Sequence, residues 1–179
     1  RKEAVTNHKR WMDIAADFGG HSIRMNWAGA PRDIVNDAAA VDKFIEISVP
    51  GFQELCEYGA QKNLNVTIEN HGGPSSYPDY MTKLMHAVGH PRLGTLPDFG
   101  NFPRDEQGNY IFDIYEATDS LMNYAKAVSA KCYHFGEDGF ETKLDFERLI
   151  QIVHDRHGYH GYIGIEYEGN EQRELDGIA

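Results

Sequence analysis

Glu69, Asp98, His134 and Glu166 each close a short apolar run, and they recur at intervals of 29, 36 and 32 residues. Three carboxylates and one imidazole are hard donors of the kind that hold a divalent cation. The interval matches one strand, its loops and one returning helix, about 30 residues. Ligands in parallel α/β sheets sit at the carboxyl ends of the strands, so four such residues are expected to converge at one end of a parallel barrel. Glu166 makes the strongest case. It follows Gly161-Tyr162-Ile163-Gly164-Ile165, a run that would not tolerate an unpaired charge if buried.

Residues two apart on a strand share a face, which adds neighbours to these four. His71 shares a face with Glu69, Glu168 with Glu166, and Arg24 with Asn26. His71 is expected to meet substrate hydroxyls or to support the ligands from behind. Arg24 and Asn26 are expected to position an oxygen-rich substrate, and Glu168 to sit at the rim. Lys131 precedes His134 by three residues, the wrong parity for its face, so it is expected to point at the outer helices unless a bulge redirects it. His8, His21, His86, His90, His154, His157 and His160 fall on helices or at strand entrances and read as structural or solvated. There is no dinucleotide fingerprint, phosphate-binding P-loop or Gly-x-Ser-x-Gly elbow.

The elements that must carry these residues alternate. A helical pattern over 2–18 stops at Gly19-Gly20, and a short strand candidate follows to Trp27. Residues 33–62 are helical, with an interruption expected near Pro50-Gly51. Strands ending at Glu69, Asp98, His134 and Glu166 then alternate with helices near 78–88, 113–128 and 143–157. A further helix begins after Asn170. One helix followed by five strands without a hairpin turn means a parallel sheet with right-handed crossovers. Five strands do not close an eight-stranded barrel. The expected fold is therefore α/β, the C-terminal five units of a (β/α)8 TIM barrel, as a single domain over 1–179. About three β/α units are expected upstream, in a protein of roughly 250–300 residues.

Bulk properties narrow the partners. A net charge of −11 argues against nucleic acid or an anionic membrane as the main partner. No apolar run approaches the roughly 18 residues of a membrane span. Cys56 and Cys132 lack framework spacing and read as buried, reduced thiols in a cytosol-like compartment. The chain begins at Arg1, which leaves an upstream signal peptide open, and homo-oligomer formation is also open.

Three strings point further: Ile-Glu-Asn-His-Gly-Gly at 68–73, Pro-Asp-Phe-Gly-Asn-Phe at 97–102 and Gly-Tyr-Ile-Gly-Ile-Glu-Tyr-Glu-Gly at 161–169. They resemble the xylose isomerase-like barrel superfamily, and within it the sugar phosphate isomerase/epimerase branch. The resemblance implies one divalent metal, manganese, magnesium, cobalt or zinc, held by Glu69, Asp98, His134 and Glu166. It also implies that Glu69 and Glu166 serve as the acid/base pair. Some epimerase-type members carry a histidine three residues after the strand-six aspartate. Here Asn101 stands at that position and is expected to contact substrate instead. The implied function is isomerisation or epimerisation of a sugar, sugar phosphate or keto-polyol through an enediolate. The alternatives are an inositol-type dehydratase and a non-catalytic sugar-binding barrel.

Overall fold

The structure is a computed structural model and describes residues 2–170 and 173–178. In chain order it contains α1 (Lys2–Asp17), β1 (Ser22–Met25), α2 (Ala38–Gln61), β2 (Asn65–Glu69), α3 (Pro78–Val88), β3 (Leu93–Leu96) and α4 (Ile114–Met122). Then come β4 (Val128–Cys132), α5 (Phe146–Ile150) running into a π-helical turn at Gln151–Arg156, β5 (Ile163–Tyr167) and α6 (Glu174–Ile178). Helix starts are set by aspartates. Asp37, Asp113 and Asp145 each accept a hydrogen bond from a first-turn N–H of α2, α4 and α5. Gly19 and Gly89, both at positive φ, end α1 and α3.

All strand pairs are parallel, as the alternation predicts: β1 with β2, β2 with β3, and β4 with β5. Two bridges, Thr95 to Ala125 and Asp98 to Ser129, join β3 to the segment carrying β4. The five strands thus follow one another in chain order as a partial barrel. Alternation along the strands separates two faces. Met25, Val66 and Ile68 pack in the hydrophobic core with Val41, Leu55 and Cys56 of α2 and Met81 and Leu84 of α3. Arg24, Thr67 and Glu69 share the opposite face. The last strand is half open, with Ile165 60% exposed. Both cysteines are free and buried, and burial pushes the Cys56 thiol up to about 12.

Several boundaries differ from the sequence expectation. No helix start interrupts α2, which runs through Pro50. Proline removes one ladder hydrogen bond there, but Gly51, Phe52, Leu55 and Cys56 just beyond it are buried and hold the helix on the core. The helix expected over 113–128 ends at Met122, because Tyr124 and Lys126 exchange hydrogen bonds with Thr95 instead. The most consequential shift concerns β4, which ends at Cys132 rather than His134. The Glu141 carboxylate accepts hydrogen bonds from the Tyr133 and His134 N–H groups, turning the chain out of the sheet.

The seam between β3 and the entry to β4 is tight. A Cβ on Gly94 would lie 2.5 Å from the Tyr124 carbonyl oxygen and against the Lys126 side chain. Gly94→Ala is therefore expected to lower unfolding free energy by about 1–3 kcal/mol, the usual cost of overpacking. Chemical denaturation with an unchanged m-value would check this.

Candidate functional site

Glu69 lies at the end of β2, Asp98 two residues beyond β3, and Glu166 within β5. One carboxylate oxygen from each comes within 4.8 Å of the other two. Glu69 is 4% exposed and Asp98 is fully buried, whereas the Glu166 side chain is 42% exposed and opens the group to solvent. Three of the four expected ligands are thus brought together.

His134 is not among them, which corrects the expected ligand set. With β4 ending at Cys132, it stands past the strand, where its Nδ1 is 2.7 Å from the Thr142 hydroxyl. What β4 presents to the site is Ser129 and Lys131, two residues apart and so on one face. Ser129 is bridged to Asp98, and Lys131 is the register partner of Glu166. Parity counted from His134 points Lys131 at the outer helices unless a bulge redirects it. Counted from Ser129, the parity turns it inward, and its side chain is 1% exposed.

The ammonium of Lys131 sits among the acids. Its Nζ lies 2.9 Å from Glu168 Oε2, 3.2 Å from Glu166 Oε1 and 3.9 Å from Asp98 Oδ2, and it donates to Asn101 Oδ1 at 3.0 Å. Ser129 Oγ lies 2.8 Å from Asp98 Oδ2 and 3.0 Å from Glu166 Oε2. The Gly100 and Asn101 N–H groups donate to Asp98 Oδ1, both at 2.9 Å. Glu69 pairs with the Arg24 guanidinium through one oxygen and accepts from Asn101 Nδ2 at 2.8 Å through the other. Asn70 holds the loop in place: its amide donates to the Asp98 carbonyl and accepts from the Asp98 N–H.

Environment separates the acids. Burial pushes Asp98 up to about 7, against the opposing pull of the Gly100 N–H and the Lys131 charge. Burial also raises Glu69, with Arg24 opposing it. For Glu166 burial acts upward too, but hydrogen bonding and charge from Lys131, with Ser129 and Asp98, outweigh it and leave the group below its ordinary value. Lys131 is lowered by burial and raised by Glu168, Asp98 and Glu166, which prevail and keep it above the ordinary lysine value.

The secondary candidates divide. Arg24 and Asn101 touch the cluster directly, Asn101 bridging Glu69 and Lys131. His71 is exposed, with its backbone N–H donating to Ser75 Oγ. Asn26 is exposed and lines a pocket with Trp27, Phe44 and Phe52 that includes none of the cluster residues. Ser129, Lys131 and Asn70 were missed as site residues. A lysine between Ala130 and Cys132 in a strand was the available signal for Lys131.

Three carboxylates, two of them buried, could by distance hold a metal ion. Their surroundings do not fit one. Five of the six oxygens of Glu69, Asp98 and Glu166 can take a donor of this chain at once, the single Ser129 hydroxyl proton serving either Asp98 Oδ2 or Glu166 Oε2, and an ammonium lies among them. Among the described residues, no buried side-chain nitrogen or oxygen lacks a hydrogen-bond partner.

A parallel β/α partial barrel with an acidic cluster at the carboxyl ends of its strands is the class that fold and site define. The chain belongs to the xylose isomerase-like TIM barrel family, whose model matches residues 1–179. Similar solved structures include a D-tagatose 3-epimerase-like protein, at 15% identity and a TM-score of 0.70, matched over 97% of this chain and 64% of that one. A 3-keto-D-glucoside 4-epimerase from E. coli is similar at 14% identity and a TM-score of 0.76, over 97% of this chain and 66% of that one. A xylose isomerase-like TIM barrel protein from Mycobacterium smegmatis, in complex with magnesium, is similar at 18% identity and a TM-score of 0.71, over 99% and 63%. The chain thus spans about two thirds of the length of these structures, and at these identities the likeness is one of fold. No curated protein sequence matches it. No helix among the described residues is long and apolar enough to cross a membrane.

Proposed function

We propose that the protein isomerises or epimerises a small sugar, sugar phosphate or keto-polyol by moving a proton at a carbon beside a carbonyl. The observation that carries this reading is the meeting of two glutamates of different surroundings in one cluster, Glu69 buried against Arg24 and Glu166 open to solvent beside Lys131. Environments that separate two carboxyl groups in this way divide base from acid. Glu166, anionic and open to solvent, takes the proton from the C–H beside the carbonyl. The electron pair moves into the carbonyl, giving an enediolate whose negative oxygen needs a nearby positive charge. Glu69, protonated more readily than an ordinary glutamate, returns a proton at the other carbon or the other face. Proton exchange with solvent then restores both groups. Arg24 and Asn101 orient Glu69, and His71 at the mouth is in place to meet substrate hydroxyls.

The sugar-modifying activities named for two of the similar structures support this substrate class. On this reading the five units are the C-terminal part of a barrel of roughly 250–300 residues. The test is incubation of the full-length protein with a panel of ketoses, aldoses, their phosphates and keto-polyols in deuterated water. An isobaric product carrying deuterium beside the carbonyl is expected. A dehydrated product would reassign the site to a lyase, and sugar binding without exchange would overturn the catalytic reading.

A further inference from the structure

We propose that the Lys131 ammonium is the permanent cation of this site, fixed by the chain in the place where a carboxylate cluster would otherwise need a divalent metal. The inference deepens the proposed reading of the cluster as a reaction centre. Three observations carry it. The first is position: Lys131 is mid-strand, 1% exposed and in register with Glu166, so the sheet aims its ammonium into the cluster and burial holds it there. The second is saturation. Its contacts with Glu168, Glu166 and Asn101 occupy three ammonium protons, while Asp98 lies 3.9 Å away. Through these contacts the ammonium satisfies the cluster much as a metal would, but by hydrogen bonds.

The third observation is the donor that stands opposite Asp98. Ser129 holds that place and bridges Asp98 to Glu166 with a hydroxyl. A neutral hydroxyl is a poor ligand for a divalent ion compared with an imidazole or carboxylate. Placing a divalent ion within ligand distance of Glu166 and Asp98 would also set it a few ångströms from the ammonium, bringing two like charges together.

The arrangement has a consequence for substrate. Glu168 is the exposed partner of Lys131, its side chain 51% exposed, and is the contact a ligand can displace without opening the core. A carbonyl or enediolate oxygen arriving there gains a charged donor already aimed at it. Lys131 would supply the positive charge that the enediolate requires, with no proton leaving the ammonium.

The experiment is metal analysis of the full-length protein, wild type and Lys131→Met, after dialysis against EDTA, followed by titration with Mn2+ monitored by the EPR signal of the free ion. Wild type is expected to show no tight site and an identical melting temperature in EDTA and in excess Mn2+. Lys131→Met is expected to bind one Mn2+ at least roughly tenfold more tightly than wild type, the least that removing a like charge so close should give. Asp98→Asn in that background should abolish the gained site. A stoichiometric, micromolar Mn2+ site in wild type that Asp98→Asn removes would overturn the proposal. So would a saturable Mn2+-dependent rise in wild-type melting temperature. Both wild-type readouts stand even if Lys131→Met does not fold. Neither involves turnover, so failure here is distinct from absence of isomerase activity.

Discussion

Lys131→Met should cost the folded protein about 3–5 kcal/mol, the penalty for removing one partner from a buried ionic cluster. Methionine matches the stem of lysine closely, so packing against the barrel wall changes little and the loss reports the charge. Without the ammonium, Asp98 and Glu166 face each other across Ser129, and Asn101 loses the donor to its Oδ1. Glu166 and Glu168 reach solvent and can be hydrated, but fully buried Asp98 cannot. It must bind a proton or destabilise the fold. Urea denaturation of wild type and variant, with m-values compared, measures the difference. A change under 1 kcal/mol would mean that the ammonium contributes little to the cluster and that the acids are neutralised in another way.

Glu69→Gln should lower the rate of deuterium incorporation into substrate by about 10²–10⁴-fold, the range for losing a positioned acid or base. Glutamine keeps the shape and can still bond Asn101, but it carries no transferable proton at the relevant pH. Arg24 loses its ionic partner, yet its side chain is 41% exposed and can rehydrate, so the melting temperature should move little. That split separates a chemical role from a structural one. Glu166→Gln should reduce exchange similarly and should also loosen Lys131, so its stability must be measured alongside its rate. Exchange that survives both substitutions at the wild-type rate would remove these two residues from the mechanism.

Much of this architecture is determined by local patterns. Val66 and Ile68 alternate with Thr67 and Glu69, which is enough to make a strand with an apolar face and a polar one. Asp37, Asp113 and Asp145 fix helix starts, and Gly19 and Gly89 fix ends, through interactions spanning only a few residues. Parallel order follows from the alternation, because no short turn links successive strands. Glu69, Asp98 and Glu166 were legible for the same reason: each ends or lies near the end of a strand, and strand ends of one polarity meet at one face of the sheet.

Tertiary structure decided what stands between those acids. The run Val128–His134 contains two candidates of opposite parity, Lys131 and His134, and local sequence does not say where the strand stops. The Glu141 carboxylate, from a loop further along the chain, settles this by taking the Tyr133 and His134 N–H groups out of the ladder. The bridge from Asp98 to Ser129 then fixes the register. A side-chain period of two makes such a change switch the residue that faces inward. Histidine leaves the site and lysine enters it. Sequence alone determined that three carboxylates would gather, whereas the partner of those carboxylates followed from long-range hydrogen bonds that have no periodic signature.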